Sequence, residues 1–142
     1  MIAARFWLLR FRMRVATYEA EAGICNLHDK INHLTKEGVY GEYILKNYSR
    51  AEIESFEQLM DADRDKLFNI SGLELLHGRY LIRTHAGAVL ESPQEMFLGI
   101  ALHLAMNEQH DRLQWVQRFY DMLSTLKVTM ATPTLANARK PF

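Results

Sequence analysis

The chain's six histidines and its single cysteine are the residue types that could hold a metal ion or act as a nucleophile. Cys25, His28 and His33 lie close together, but the spacing Cys-x2-His-x4-His lacks a fourth ligand and the i,i+4 histidine pair of a helical zinc site. The alternative is that these side chains lie on a helix surface or are partly buried. We interpret His103 as a hydrogen-bonded core histidine and place His110 near a helix start. We therefore expect no metal ligand and no catalytic residue in this chain, and we expect Cys25 to be catalytically silent.

A dense charged cluster lies further along the chain, at Asp61, Asp63, Arg64 and Asp65. A calcium loop of the EF-hand type needs a central glycine and a glutamate at its last position, and this stretch has neither. We expect instead an interhelical loop whose acids pair with Arg64 and approach the start of the next helix. The sequence also lacks a glycine-rich phosphate loop and the G-x-S-x-G pattern. These residues do not make a complete active site.

Composition limits the class of protein. The chain has 142 residues, of which 49% are apolar and 24% are charged, and 17 basic side chains balance 17 acidic ones. This length and hydrophobicity favour one folded domain over residues 1–142 and argue against long disordered segments. The balanced charge argues against a dominant nucleic-acid-binding surface. One cysteine excludes an internal disulfide, and no apolar run reaches the roughly 18 residues of a membrane-spanning helix.

The N-terminal segment is strongly basic, because residues 1–15 carry four arginines and no acidic residue. A transit peptide or a helix on a membrane surface would have a similar composition. However, Arg10, Arg12 and Arg14 interrupt any signal-peptide core, serine is absent, and no small-residue cleavage pattern follows. We therefore expect a basic helix that packs against other protein, and a cytoplasmic location.

Most of the chain has the signals of helices. S-x-x-E capping boxes predict three helix starts: Ser49 with Glu52, Ser71 with Glu74, and Ser92 with Glu95. The predicted helices cover residues 2–22, 25–36, 50–60, 72–77, 93–106 and 110–125. Residues 79–83 and 88–91 flank a turn at Gly87 and predict a β-hairpin. Residues 127–130 predict an extended run that leads into a loop at 132–133.

Two of the predicted helices differ in what they imply. Helix 110–125 has one apolar stripe and is typical of an amphipathic surface helix. Helix 93–106 is apolar on almost every side, which indicates burial all round. Because a lone chain of this length has difficulty covering such a helix, we expect a partner that helps to bury it.

Four stretches between residues 60 and 141 follow the pattern of one known family. They are DADRD (61–65) followed by LFNISGLELL, GRYLIR (78–83), ESPQEMFLGIALHLA (91–105) and RFYDMLSTLKVTMATPTLANARKP (118–141). These stretches resemble, in order, the N-terminal helical region of the large (α) subunit of class I ribonucleotide reductases. The last stretch is the most specific, and residues 1–59 resemble the family more weakly.

The resemblance implies a mainly α-helical domain with a small β-hairpin and a C-terminal strand that leads into an α/β barrel outside this chain. Enzymes of this family replace the ribose 2′-hydroxyl by means of a thiyl radical, and further cysteines supply the reducing electrons. This chain has one cysteine, Cys25, in a segment outside the family's cysteine motifs. The resemblance therefore implies a non-autonomous piece of a large subunit, split or truncated, that lacks the nucleotide-binding cone and the barrel and is inactive alone.

The resemblance also singles out one substrate-binding residue. In the family, a small hydroxyl residue before proline in an S/T-P-T loop lines the nucleotide site and hydrogen-bonds the diphosphate. Thr132 has that position here, and a hydroxyl can donate to phosphate oxygens without bringing a charge into a radical site. The alternative is a strand-end turn in which Thr132 only caps the backbone. Asn137 is expected to serve the turn, and Arg139-Lys140 stands where the family usually has Gly-Thr.

The partners follow from the same resemblance. They are large-subunit fragments with the catalytic barrel, a radical-generating small (β) subunit, and ribonucleoside diphosphates that are reduced for DNA synthesis. The radical cofactor would belong to the small subunit, and nucleotide effectors to the complete enzyme, so we expect no cofactor, DNA or membrane on this chain. The alternative is a helical binding module or inactive remnant that associates with a reductase without contributing to catalysis.

Overall fold

The computed structural model describes residues 2–141, which form a set of packed helices joined by short turns. The α-helices are α1 (Ile2–Ala22), α2 (Leu27–Lys36), α3 (Glu42–Asn47), α4 (Arg50–Glu57), α5 (Ile70–Arg79), α6 (Pro93–Ala105), α7 (Arg112–Ser124) and α8 (Thr132–Asn137). A 3-10 helix (Ala62–Leu67) lies between α4 and α5. The prediction of a mainly α-helical fold is confirmed. The sequence pattern did not indicate α3 and the 3-10 helix, because segments this short show no clear hydrophobic period.

The helix starts follow their capping residues. At Ser49 and Ser92 the hydroxyl accepts from the backbone three residues later, and the glutamate there binds back to the cap, so both predicted capping boxes are confirmed. The start predicted at Ser71 is wrong, because the side chain of Asn69 caps the helix instead. α5 therefore begins at Ile70, which packs against the cluster that α1 forms with α5.

α6 lies in the core with buried residues on every side, namely Met96, Phe97, Leu98, Gly99, Ile100, Ala101, Leu102 and Ala105. α7 packs along it, and buried side chains from the turns on either side of α3 belong to the same apolar cluster. The expectation that this helix needs a partner for its burial is wrong. The helices and turns of the chain itself cover α6, because side chains from most of its length converge on it.

The predicted β-hairpin is not present. Within the described residues, 79–83 and 88–91 contain no strand, and the segments share one isolated antiparallel bridge, between Arg83 and Val89. One cause is that the helix continues through Arg79 and the helical backbone of Tyr80 caps it, so the first predicted strand loses its beginning. The remaining residues turn at Gly87, which has a φ of 93° as predicted for a turn, but they form only the one bridge.

The predictions of a C-terminal strand and of a loop after it are also wrong. Residues 127–130 have no partner strand in the described part of the chain, and they follow Leu126, which has a φ of 61°. In place of the loop at 132–133, α8 begins at Thr132, with Pro133 in its first turn. Proline is favourable there because the first N–H groups of a helix have no partner within it.

α1 is the basic helix that the N-terminal sequence predicts, and it packs on the rest of the fold. Its buried face carries Ala4, Leu8, Phe11 and Val15. The arginines of residues 5–14 are exposed along with several apolar residues of its outer face. No helix among residues 2–141 has the length and apolar character needed to cross a membrane.

Candidate functional site

Thr132, the substrate-binding residue that the resemblance indicates, lies at the first position of α8 and is exposed. Its Oγ1 is 3.4 Å from the hydroxyl oxygen of Tyr80, and either group can be the donor. Tyr80 is buried at the end of α5. The structure therefore places the Thr132 hydroxyl between solvent and a buried tyrosine, on a helix rather than in the expected loop.

Arg139 attaches the segment that carries Thr132 to the rest of the fold. Its side chain is fully buried, and its N–H groups make five hydrogen bonds, which is all that a guanidinium can donate. Nε and Nη2 bind the two carboxylate oxygens of Glu91 at 2.8 and 2.6 Å. The remaining bonds reach the carbonyls of Leu135, Ala138 and Tyr80, at 2.9, 2.8 and 3.0 Å.

The Arg139 guanidinium keeps its charge although the residue is buried. Burial by itself acts to lower the pKa of Arg139, but the Glu91 carboxylate outweighs this effect and the pKa is raised. Oε1 of Glu91 also accepts from the backbone N–H of Ile82 at 3.1 Å. The carboxylate therefore joins the turn after α5, the start of α6 and the C-terminal segment.

Gly99 on α6 provides the space for the Arg139 side chain. A Cβ atom at position 99 would lie 2.7 Å from Cδ of Arg139 and 2.9 Å from the hydroxyl oxygen of Tyr40. The backbone of Arg139 is held as well, because its carbonyl accepts from the N–H of Gly41 at 2.7 Å. Arg139 has a φ of 73°, in the left-handed region that favours glycine, which gives a physical reason for the glycine usual in the family pattern at this position.

A basic cleft lies beside the C-terminal end of α8. It has a volume of about 450 Å³ and is lined in part by Asn137, Lys140, Arg79 and Arg83. Burial lowers the pKa of Lys140, and the nearby Arg139 and Arg83 act in the same direction. Asn137, which the sequence assigns to a turn, is the last residue of α8.

The structure does not gather the metal candidates into a site. Cys25 is exposed, and Nε2 of His33 lies 3.1 Å from the hydroxyl oxygen of Tyr18. Within residues 2–141 there is no group of three or more histidine, cysteine, aspartate or glutamate side chains that could hold a metal ion. His103 is hydrogen-bonded as expected, with Nδ1 3.1 Å from the hydroxyl oxygen of Tyr43, but its ring is partly buried rather than in the core.

The charged cluster at 61–65 forms longer-range contacts than the sequence indicates. Asp61 caps the 3-10 helix, but Arg64 pairs more closely with Asp121, at 2.8 Å, than with Asp61, at 3.7 Å. Asp65 is buried and accepts from Arg12 at 3.0 Å and from the Gln94 side chain at 2.8 Å. Burial raises the pKa of Asp65.

Sequence reasoning did not name Glu91, and it named Asp65 without predicting its burial. Glu91 had a detectable signal, because it directly follows the apolar run Ala88-Val89-Leu90 and precedes a helix cap. If an acidic residue in such a position is buried with the run, it requires a charged partner. The partner itself, Arg139, could not be named from local sequence.

Comparisons with known proteins agree with the mainly helical fold. Residues 66–142 match the family of the ribonucleotide reductase all-alpha domain. The whole chain is 55% identical over 142 residues to the ribonucleoside-diphosphate reductase subunit alpha of Treponema pallidum (strain Nichols), of which it covers 17%. It is 31% identical to ribonucleoside-diphosphate reductase 1 subunit alpha of Escherichia coli (strain K12) and 34% identical to ribonucleoside-diphosphate reductase subunit alpha of Enterobacteria phage T4. Each of these two matches covers 99% of this chain and 18% of the relative.

The chain thus spans less than a fifth of the length of these curated relatives. The family match includes α5 to α8, and with them Tyr80, Glu91, Thr132 and Arg139. The chain therefore belongs to the ribonucleotide reductase family, because residues 66–142 match its all-alpha domain.

Proposed function

We propose that this chain forms the N-terminal helical part of the large subunit of a class I ribonucleotide reductase and supplies Thr132 to the substrate site. The cysteines that reduce the ribose would lie on a barrel that completes this site, and the sequence-based hypothesis assigns that barrel to another chain. Alone, residues 1–142 would be one non-autonomous domain without reductase activity. The reaction needs several active-site cysteines, and this chain has only Cys25.

The observation that carries the proposal is the placement of the Thr132 hydroxyl. Thr132 is exposed at the start of α8, while Arg139 in the same segment is fully buried and satisfied by five hydrogen bonds. A surface hydroxyl on an anchored segment loses little conformational freedom when it binds a ligand. Family membership supports a nucleotide as that ligand.

In this proposal the role of Thr132 is to bind the substrate. Its O–H donates to an oxygen of the substrate diphosphate, and the charge on that acceptor makes the hydrogen bond stronger than a neutral one. Thr132 remains neutral throughout, so no charged side chain enters the radical site. The cations that line the neighbouring cleft, Arg79, Arg83 and Lys140, add a positive potential on this side of the fold.

The proposed partners are the cysteine-bearing barrel, a radical-generating small (β) subunit and ribonucleoside diphosphates, in the cytoplasm. The radical cofactor would be held by the small subunit and would supply the radical for the reaction. Nucleotide effectors would likewise bind outside this chain.

The test is Thr132→Ala in the assembly of this chain with the cysteine-bearing barrel and the small subunit. Loss of one charge-assisted hydrogen bond, worth about 1.5–3 kcal/mol, should raise the apparent KM for nucleoside diphosphate roughly tenfold or more. Thr132→Ser keeps the hydroxyl and should keep most of the function. Thr134→Ala, a half-buried threonine on the same helix, is the matched control for general damage to α8.

Two results would contradict the proposal. If Thr132→Ala leaves KM unchanged, or has the same effect as Thr134→Ala, the hydroxyl is structural and the helical binding module or inactive remnant becomes the better description. Reduction of a nucleoside diphosphate by the purified 142-residue chain would show that it is not a non-autonomous part.

A further inference from the structure

We propose that Tyr80 and Arg139 are positioning residues for Thr132. Tyr80 donates its hydroxyl proton to Oγ1 of Thr132, and Arg139 holds together the two elements that carry these hydroxyls. This inference rests on the proposed function, because it describes how Thr132 is prepared to bind a diphosphate. It assigns a role to a buried tyrosine that the proposed function leaves unused, and it states how the buried ion pair acts on Thr132.

The direction of the Tyr80–Thr132 hydrogen bond decides what Thr132 can offer a ligand. A threonine hydroxyl has one proton to donate and two lone pairs that accept. If Thr132 donates to Tyr80, no proton is left for a phosphate. A phosphate oxygen without a proton can only accept, so a bound diphosphate selects the arrangement in which Tyr80 donates to Thr132 and Thr132 donates to the ligand.

Hydrogen bonds in such a series strengthen one another, because each acceptor becomes a better donor. Tyr80 as a whole is 8% exposed, and its hydrogen bond with Thr132 is partly buried. The separation of 3.4 Å between the two hydroxyl oxygens is at the long end for a hydrogen bond. Hydrogen bonds at a binding site are often long without ligand and shorten when it binds, and we expect this one to do so.

Arg139 fixes both partners through their backbones. None of the six residues of α8, all of them described, is buried, so apolar packing alone holds this helix weakly. Nη1 of Arg139 binds the carbonyl of Leu135 within α8, and Nη2 binds the carbonyl of Tyr80. The guanidinium is therefore bonded both to α8, which carries Thr132, and to the main chain of Tyr80, whose hydroxyl contacts Thr132. Glu91 holds that guanidinium in place with two further bonds.

The decisive variant is Tyr80→Phe in the complete assembly, since it removes only the hydroxyl. We expect the KM for nucleoside diphosphate to rise roughly threefold to tenfold, as for loss of one ordinary hydrogen bond, with kcat unchanged. In a Thr132→Ala background, the same change should have no further effect on KM, because the group it acts through is gone. Thermal unfolding of the 142-residue chain verifies that Tyr80→Phe is folded.

Two further variants separate positioning from general stability. Tyr18→Phe removes another partly buried tyrosine hydroxyl, which bonds with His33 between α1 and α2, and should leave KM unchanged. Arg139→Lys keeps the positive charge but has fewer N–H donors in a different geometry. It should raise KM by a similar factor, and this effect should also disappear in the Thr132→Ala background.

The outcomes distinguish this inference from the proposed function. If Thr132→Ala raises KM but Tyr80→Phe does not, Tyr80 is structural and the inference is overturned while the proposed function stands. The same holds if Tyr80→Phe raises KM equally with and without the Thr132 hydroxyl. If Thr132→Ala itself has no effect on KM, the proposed function fails and the inference fails with it.

Discussion

The core around α6 and the C-terminal segment 131–141 are held in opposite ways. α6 is surrounded by apolar side chains of the chain itself, and Ile100, Ala101 and Leu102 are each 0% exposed. In the C-terminal segment α8 buries none of its own residues, although Ala138 just after it belongs to the apolar core, and Arg139 attaches the segment to Glu91. One region therefore depends mainly on apolar burial, whereas the other depends on a buried ion pair as well.

The difference has a physical meaning. Apolar burial is roughly proportional to area and has little directionality, so it stabilises a core without fixing the angle of any one group. Five directed hydrogen bonds to a planar guanidinium fix one orientation of the chain around it. The region that would have to present a hydroxyl in a defined position is the region that uses directed contacts.

The largest expected effect comes from breaking the ion pair. Arg139→Gln leaves the Glu91 carboxylate buried without its counter-charge, which should lower the free energy of unfolding by about 3–5 kcal/mol. Urea unfolding of the 142-residue chain measures this loss. Adding Glu91→Gln removes the unpaired charge and should recover part of it. Losses that simply add in the double variant would show that the two charges do not act as a pair.

The apolar region should respond as a core that is already closed in the isolated chain. Ile100→Ala is expected to lower the free energy of unfolding by about 2–5 kcal/mol, because it leaves a cavity. Leu113→Ala on α7 is the control, since Leu113 is 49% exposed and should change stability by less than about 0.5 kcal/mol. Equal effects of the two substitutions would mean that α6 is not covered by this chain alone.

The smallest expected effect is on how the free energy of unfolding depends on pH, and it comes from His103 on α6. Burial lowers the pKa of His103 from the usual 6.5. Below that value the unfolded chain takes up a proton that the folded chain resists, so stability is lost as the pH falls through about 6.5. His103→Gln should therefore reduce the difference in unfolding free energy between about pH 7.5 and pH 5.5. An unchanged difference would show that His103 titrates alike in both states.

The helices with strong local signals could be predicted from the sequence. The capping boxes of α4 and α6 and the apolar stripe of α7 predict these helices within a few residues of their observed ends, and the predicted helix 2–22 matches α1. The hairpin and the strand at 127–130 could not be judged in this way, because an extended run becomes a strand only when a partner runs beside it. Within the described residues, no such partner reaches either segment beyond the Arg83–Val89 bridge.

The burial of α6 shows a second limit. Its composition indicates that every side is covered, but not by what. The expectation of an external partner is wrong for this helix because turns far apart in the sequence, with Tyr40 and Tyr48 among their buried residues, belong to the same core as α6 and α7. Sequence periodicity describes one helix at a time and says little about how the others are arranged around it.

What the sequence determined by itself is local or shared with the family: the helical class, the capping boxes at Ser49 and Ser92, and the position of Thr132 in a recognisable stretch. A capping box needs only partners three residues apart, which the chain brings together as the helix forms. Tertiary structure decided the pairing of Arg139 with Glu91, which are 48 residues apart, and of Thr132 with Tyr80, which are 52 apart. Such contacts exist only after α5, α6 and α8 have packed, and the Arg139 side chain also needs the space that Gly99 leaves beside it.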